Sequence, residues 1–534
     1  MQSAGLTPET AVGEMPLSSK RLSNGLQPAV EGRATGAGRK PTGIIRIAAA
    51  DERSILFDYA SEAVDAAVAS GARYADARVV SLRSETIDVK NRTVESVDHG
   101  DSIGLGVRAL IGSSWGFYAV AELTNTAARA AGAQASEIAK ASAIVAGPPL
   151  ELNDVAVNEA SYETPHEEDA FAVSLSEKVD LMLGVTSTMQ SVDGVALASA
   201  NLTFWDTNKW FVSSQGHRIQ QHLVESGGGF DATAIGESET QRRSYPQSFG
   251  QYETGGFEVI RKWDYAGNAG RIAEEAVALL AAPEMEEGER ALILEGSQLG
   301  LQIHESVGHA IELDRILGWE AAFAGTSHLE LPKLREHRYG SSLMNITADA
   351  TLPGALGTFG FDDEGTPAQR VPIVDEGLWV GVLSGRDSAA IAGLPPGGMV
   401  RGDGFSRLPM VRMTNVGLLP GDSSLDEIIS ETKDGIYMST NRSWSIDDKR
   451  LNFQFGCEMG WEVRNGKKGR MVRNPTYTGI TPQFWGSLDM LAGEDEWVHW
   501  GTPNCGKGQP MQVAHTGHSA TPARFMNVRT GVKA

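Results

Sequence analysis

Cysteine is almost absent from this chain: its 534 residues include only Cys457 and Cys505. Two thiols cannot staple a secreted disulfide scaffold, and the low count fits a reduced, cytoplasmic setting with at most one bridge. Long apolar runs are missing as well. No stretch approaches the ~18 apolar residues of a membrane span, and the opening MQSAGLTPETAVGEMPLSSKRLSNGLQ lacks the apolar centre of a signal peptide. Positive charge is in deficit, with 46 Lys and Arg against 68 Asp and Glu, a net charge of −22. Nucleic acid and acidic membrane surfaces both demand a basic field, so neither is expected as a partner. No glycine-rich dinucleotide fingerprint follows a strand pattern, which leaves an oxidoreductase reading without support.

What is present suffices for more than one domain, with 41% hydrophobic residues. Residues 1–50 read as a disordered tail, rich in Gly, Ala, Ser and Pro to about 43, with order beginning near Ile44. Residues 51–285 read as an N-terminal α/β domain. Phe57, Ala60, Val64, Ala67 and Val68 mark one helix face, closed by Gly71. Strands are expected over 76–89 and 93–118, helices over 123–144 and 168–190, an antiparallel meander over 195–259, and a helix over 269–282. The acidic stretch PEMEEGE, 283–289, reads as the boundary to a β-rich domain over 286–534. There the 61 glycines of the chain fit many turns, a short helix is expected over 426–432, and a hairpin should turn at Asn465–Gly466.

One motif stands out. In HESVGH, residues 304–309, the second histidine comes one residue later than in the H-E-x-x-H signature of zinc peptidases. With eleven histidines in the chain, composition predicts roughly 0.03 such His-acid-His arrangements. Leu299, Ile303, Val307 and Ile311 form a buried helix stripe, and Gly300 and Gly308 lie one turn either side of His304, leaving room for another chain segment to approach. Residues five apart diverge by ~140° on a regular α-helix. Both rings can therefore serve one ion only if the helix widens. Either His309 does not bind the same metal, or a π-bulge or other helix distortion at Ser306–Gly308 brings both rings to one ion.

A catalytic zinc ion takes a third protein ligand. Cys457, His499, Cys505, His515 and His518, and nearer by Glu312 and Asp314, are all open on spacing. Cys457 sits in a hairpin pattern and fits a plain buried residue. Cys505 sits in TPNCGKGQP, a Gly/Pro segment without a core pattern. GTPNCGKG also comes within one residue of a phosphate-binding loop, but Gly508 replaces the hydroxyl that would meet magnesium.

Taken in order, IHESVGHAIELD, DDEGTP (362–367), LPMVRMTN (408–415), LLPG (418–421), DGIY (434–437) and NCGKGQ (504–509) resemble segments of the TldD/PmbA metallopeptidases, on the TldD, metal-bearing side. ARYADARV and GLGVRALIGSSWGFYA resemble that family's N-terminal domain. The resemblance spans about 55–530. It implies an α+β fold: an N-terminal α/β domain with an antiparallel sheet, and a C-terminal β-rich, barrel-like domain carrying a metal-binding helix. It implies one Zn2+ per chain on His304, His309 and Cys505, with Glu305 as general base for a water that attacks the peptide bond. It further implies small unfolded or leader-type peptides as substrates, and a PmbA/TldE-like partner subunit or a homodimer. The segment CGKGQ is one residue shorter than the family's usual C-G-K-x-G-Q, and the following PMQVAHTGHSATPARFM and the stretch 441–463 depart from its pattern. DEGTP and RMTN are expected to line the substrate cleft. The alternative is a non-catalytic assembly subunit whose zinc is structural, closed by a fourth ligand such as Cys457, His515 or His518.

Overall fold

The computed structural model describes residues 50–145, 147, 150–323 and 325–532, so the expected tail lies outside the described residues but for Ala50. The first helix, α1 (Ala50–Ala69), buries Ala60, Ala63, Val64 and Ala67, and Gly71 follows it at φ +99°. Helix α2 (Asn125–Ser142) is capped by Thr124, whose side chain accepts from the Ala127 amide. Its buried face is Ala128, Ala131, Gly132, Ala135, Ser136 and Ala139. Small residues on both helices let the backbones approach closely: a Cβ on Gly132 would lie 2.0 Å from the Ala63 carbonyl oxygen.

An eight-stranded sheet spreads beneath these helices. It comprises β1 (Tyr74–Lys90), β2 (Thr93–Ile111), β3 (Ser114–Val120), β4 (Glu159–Glu163), β5 (Val195–Ser213), β6 (Arg218–Ile235), β7 (Thr240–Tyr245) and β8 (Gln251–Thr254). The order is β3-β2-β1-β5-β6-β4, with β7 and β8 also pairing to β6, and β4–β6 is its parallel pair. Helices α3 (Leu175–Gln190) and α5 (Tyr265–Ala281) cover β5 and β6, burying Met182, Val185, Met189, Ile272 and Ala276 against Ile87, Leu202, Phe204 and Phe230. A short helix, α4 (Glu258–Lys262), precedes α5. The expected helices are found over 125–142, 175–190 and 265–281, the second starting seven residues later than expected, and 93–118 forms the β2–β3 hairpin, turned at Gly112 with φ +58°.

The C-terminal region contains a closed five-stranded barrel. Strand β9 (Gly288–Leu294) pairs parallel with β16 (Asp434–Ile446) and antiparallel with β23 (Ala523–Thr530). From β23 the ring runs through β19 (Thr476–Ile480) and β17 (Asn452–Arg464) and closes on β16. Strand β18 (Lys467–Arg473) extends β17 as the expected hairpin, turned at Asn465 (φ 48°) and Gly466 (φ 76°). Around the barrel lie β10 (Ile346–Asp349), β11 (Arg370–Asp375), β12 (Leu378–Trp379) and β15 (Val416–Leu418) as one small sheet. Beside it are the β13 (Val400–Arg401)–β14 (Met410–Val411) pair, β20 (Leu488–Leu491) on β23, and a long β21 (Val498–Lys507)–β22 (Gln512–Ala520) pair. The helix expected over 426–432 spans Leu425–Ser430.

Helix α6 (Gly296–Ile303) leaves β9 directly, and each of its residues is buried. Leu299 and Ile303 enter the core formed by Leu292, Ile436, Phe453, Phe455, Tyr477 and Phe525. Gln298 donates to the Tyr477 hydroxyl (2.9 Å), which donates to Gln302 (2.9 Å), so two polar positions tie the helix to β19. The apolar stripe sets the depth of the helix and these hydrogen bonds set its rotation. Cys457 lies in this core as a plain buried residue.

Replacing Gly132 with Val should force α1 and α2 apart and cost about 1–3 kcal/mol, the usual range for overpacking. Thermal melts of wild type and Gly132→Val check this; an unchanged midpoint would mean that the helix pair is not tightly seated.

Candidate metal centre

At Ile303 the α-helical hydrogen bonding stops, and His304–Gly308 form a π-helical turn. The His309 amide donates to the His304 carbonyl at 3.1 Å, a bond from i+5 to i. The extra residue per turn brings the two rings together, with centroids 4.8 Å apart and planes at 88°. Ser306 is the pin. Its hydroxyl donates to the Gln302 carbonyl (2.6 Å) and accepts from Gln302 Nε2 (3.0 Å) and from Trp485 Nε1 (3.0 Å). The Tyr339 hydroxyl donates to the Ser306 carbonyl at 2.6 Å. Gly308 leaves room for Met413, since a Cβ there would stand 2.1 Å from Met413 Sδ and that side chain would have to shift. The space beside Gly300 is likewise filled from within, by His518 and Trp500.

Cys505 arrives from β21, where the register with β22 slips between Thr502 and Cys505. Arg412 donates to the Cys505 carbonyl and to that of Gln512 and so fixes this irregular strand. One donor atom each from His304, His309 and Cys505 fall within 4.8 Å of one another, and all three residues are buried. His309 Nε2 is 3.8 Å from Cys505 Sγ. Bond lengths of about 2.0–2.1 Å to nitrogen and 2.3 Å to sulfur put tetrahedral zinc donors roughly 3.5 Å apart, so this pair needs only a small adjustment.

The chemistry of the donors fits a metal ion too. Burial drives both imidazoles below their ordinary pKa, toward the neutral form that a ligand requires. Burial pushes the Cys505 thiol up, but His309 and Arg412 outweigh it, leaving the thiol below its usual value. His309 turns its other nitrogen, Nδ1, to Glu312 at 3.0 Å, the carboxylate–histidine arrangement typical of metal ligands. Glu312 opposes its own burial with Lys507 (3.2 Å), His309 and Arg315 (3.3 Å), which hold its carboxyl well below the usual range. Lys507 also reaches Asp314 at 2.8 Å, and burial raises that carboxyl to about 6 against the pull of Lys507.

Of the remaining sequence candidates, Glu312 and His518 contact His309 and His304 from outside the three-donor cluster. Glu305 is buried beside the cluster, and its Oε2 takes a 2.7 Å ion pair from Arg450. Glu312 and Asp314 sit behind His309. His499 bonds Ser519 (2.7 Å), and His515 pairs with Glu225 (2.9 Å) under Trp205. His518 meets His304 Nδ1 at 2.7 Å. The phosphate-loop alternative fails: Cys505–Lys507 is strand, and Lys507 is spent on buried acids and the Val411 carbonyl. DEGTP is a turn buried from Asp363 to Thr366 with Pro367 exposed, Asp362 accepting from the Glu364 and Thr366 amides, Glu364 bound to Arg108 (3.3 Å), and Asp363 to Lys209 (3.1 Å). RMTN braces the site through Arg412 and Met413. A cavity of about 340 Å³ adjoins the Cys505 strand, walled by Trp205, Phe359, Phe361, Arg401, Pro503 and His515. Sequence reasoning overlooked Arg450, and it noticed Arg412 and Lys507 only as members of the RMTN and NCGKGQ segments, without these roles. Arg450 closes the turn 447–450 at φ 61° and lies 145 positions from Glu305, so no local pattern announces it.

Two family models match, the PmbA/TldA metallopeptidase domain 1 over 75–139 and the C-terminal domain over 287–523, together more than half of the sequence. The chain belongs to the TldD/PmbA metallopeptidase family. Curated relatives of this family match along most of their length. A metalloprotease of Methanocaldococcus jannaschii is 27% identical over 448 residues, 83% of this chain and 94% of the relative. The metalloprotease TldD homolog of Buchnera aphidicola (subsp. Schizaphis graminum) is 27% identical, over 87% of this chain and 92% of its own. The zinc metalloprotease TldD homolog of Saccharolobus solfataricus is 23% identical over 84% and 94%. Among solved structures, TldE from Thermococcus kodakarensis superposes with a TM-score of 0.64 at 15% identity, covering 88% of this chain and 99% of that one. A candidate DNA gyrase modulator from Thermotoga maritima reaches 0.70 at 16% identity, covering 89% and 99%. At those identities the likeness is one of TldD/PmbA fold.

Ser306→Ala should strand the Gln302 and Trp485 donors in the interior, at about 1–3 kcal/mol. A lower melting temperature together with faster metal loss to a chelator is expected; an unchanged melt would remove Ser306 as the pin of the π turn.

Proposed function

We propose that the chain is a zinc peptidase that holds one Zn2+ on His304, His309 and Cys505 and uses Glu305 as general base. The observation that carries this reading is the buried cluster of three donors, two imidazoles and a thiol, with a buried carboxylate next in sequence to the first. Zinc with three protein ligands and an open fourth position supplies a Lewis acid that makes water acidic near neutral pH. Glu305 takes a proton from the attacking water and returns it to the leaving amine. Arg450 fixes the carboxylate for both transfers by holding one of its oxygens. A thiolate among the ligands donates more charge than imidazole and softens the Lewis acid, which suits a slow and selective enzyme.

A structural zinc would be closed by four ligands. Against this alternative, Cys457 is in the barrel core, His515 is engaged with Glu225, and both nitrogens of His518 have protein partners. Small unfolded or leader-type peptides are the proposed substrates, bound extended with backbone hydrogen bonds to a strand edge, and the cavity beside β21 is sized for a side chain. A TldE-like subunit or a second copy of the chain would be the partner. No helix among the described residues is long and apolar enough to cross a membrane.

Glu305→Gln should cut peptide hydrolysis by about 10²–10⁴-fold, the range of general acid–base catalysis, and keep its zinc. Metal analysis of native protein should find about one zinc per chain, as a three-ligand site predicts, lost in His309→Ala and Cys505→Ala. Zinc that survives Cys505→Ala would break the ligand set, and a metal-free wild type would favour the non-catalytic subunit.

A further inference from the structure

The two metal-binding histidines are braced in different ways. His309 rests on a carboxylate, whereas His304 rests on a second imidazole, His518 of β22. That ring is fully enclosed, and both its nitrogens are committed. Its Nδ1 lies 3.0 Å from the Val416 carbonyl of β15, and its Nε2 lies 2.7 Å from His304 Nδ1, with Thr516 Oγ1 at 3.4 Å.

The proton positions follow from one group that cannot vary. A carbonyl oxygen only accepts, so His518 Nδ1 carries hydrogen. A neutral His518 then presents a lone pair at Nε2, and the 2.7 Å contact requires His304 Nδ1 to donate. His304 Nδ1–H leaves Nε2 as the unprotonated nitrogen. The opposite arrangement needs an imidazolium at His518, in a buried place where no carboxylate touches it and its desolvation is uncompensated.

We propose that His518 is a positioning residue that locks His304 in the Nδ1–H tautomer, so that the Val416 carbonyl, acting through two imidazoles, aims the His304 Nε2 lone pair at the metal position. The inference rests on the metal reading above and adds a residue to it. Its physical content is an asymmetry. Glu312 gives His309 a charged acceptor, which makes that ring the more basic ligand, while His518 gives His304 a neutral one. The site thus receives orientation from both sides but additional negative charge from only one. Gly300 of α6 packs beside the same residue, where a Cβ would meet His518 Cβ and Trp500 at 3.5 Å, an ordinary van der Waals contact.

Zinc affinity by chelator competition tests this on the full-length chain, for wild type, His518→Leu and His518→Gln. Leucine fills the space without an acceptor. Glutamine places an amide oxygen near the former Nε2. His518→Leu should weaken zinc binding about 10–100-fold, as loss of such outer partners does, and His518→Gln should recover most of it. Cobalt-substituted His518→Leu should also show shifted visible bands, which a purely structural packing role would leave in place once near-UV circular dichroism confirms the fold. Wild-type affinity in a folded His518→Leu overturns the proposal. Nitrogen-15 histidine spectra of the wild type stripped of metal provide a reading that needs no variant. A proton on His304 Nδ1 is expected, and one on Nε2 overturns the assignment. Should wild type hold no zinc, the metal reading falls, while the tautomer measurement still decides the role of His518.

Discussion

Everything at this site hangs on a single hydrogen bond of unusual span, from the His309 amide to the His304 carbonyl. On a regular helix the two rings would point away from each other. One π turn cancels that divergence and brings two imidazole donors together from a single helical segment without a loop. Such a turn costs backbone energy and persists only where the surroundings impose it. Here Ser306 saturates its hydroxyl with one donated and two accepted bonds, and Tyr339 holds its carbonyl. Its partners come from α6, from the segment after residue 338 and from the helix at Thr481–Gly486, so the turn is clamped by elements far apart in sequence.

The same economy appears in the β21–β22 pair. One strand delivers Cys505, and its partner delivers His518 to the far side of His304. Lys507, two residues beyond the cysteine, neutralises Glu312 and Asp314 behind His309. A single hairpin therefore contributes a donor, an orienting ring and a counter-charge, and these can only be placed together. The buried acids would be costly alone; with Lys507 and Arg315 beside them, Glu312 can hold His309 Nδ1.

The N-terminal sheet reaches this region through buried ion pairs. Arg108 binds Asp76 (2.6 Å) within the sheet and Glu364 (3.3 Å) in the DEGTP turn, and Lys209 binds Asp363 in the same turn. The cavity beside Cys505 forms where these surfaces meet, with Trp205 of β5 facing His515 of β22. In a chain of net charge −22 these few cations are concentrated where they oppose buried carboxylates.

By itself the sequence determined the local features. Strand alternation, the Asn465–Gly466 turn and the stripe Leu299–Ile303–Val307–Ile311 declare their elements because each depends on neighbours within a few residues. The i+5 spacing of the histidines left two readings, a widened helix or a His309 that does not share the ion, since no regular helix could use both. The barrel closure, Arg450 on Glu305, Arg412 on the Cys505 backbone and His518 behind His304 were decided by tertiary structure alone. The residues in these pairs are separated by 93 to 214 positions, and no periodicity acts over such distances. Spacing left Cys457, His499, Cys505, His515, His518, Glu312 and Asp314 equal as partners for the HESVGH motif. The slipped register of β21 on β22 separated them, turning a thiol toward His309 and an imidazole toward the back of His304.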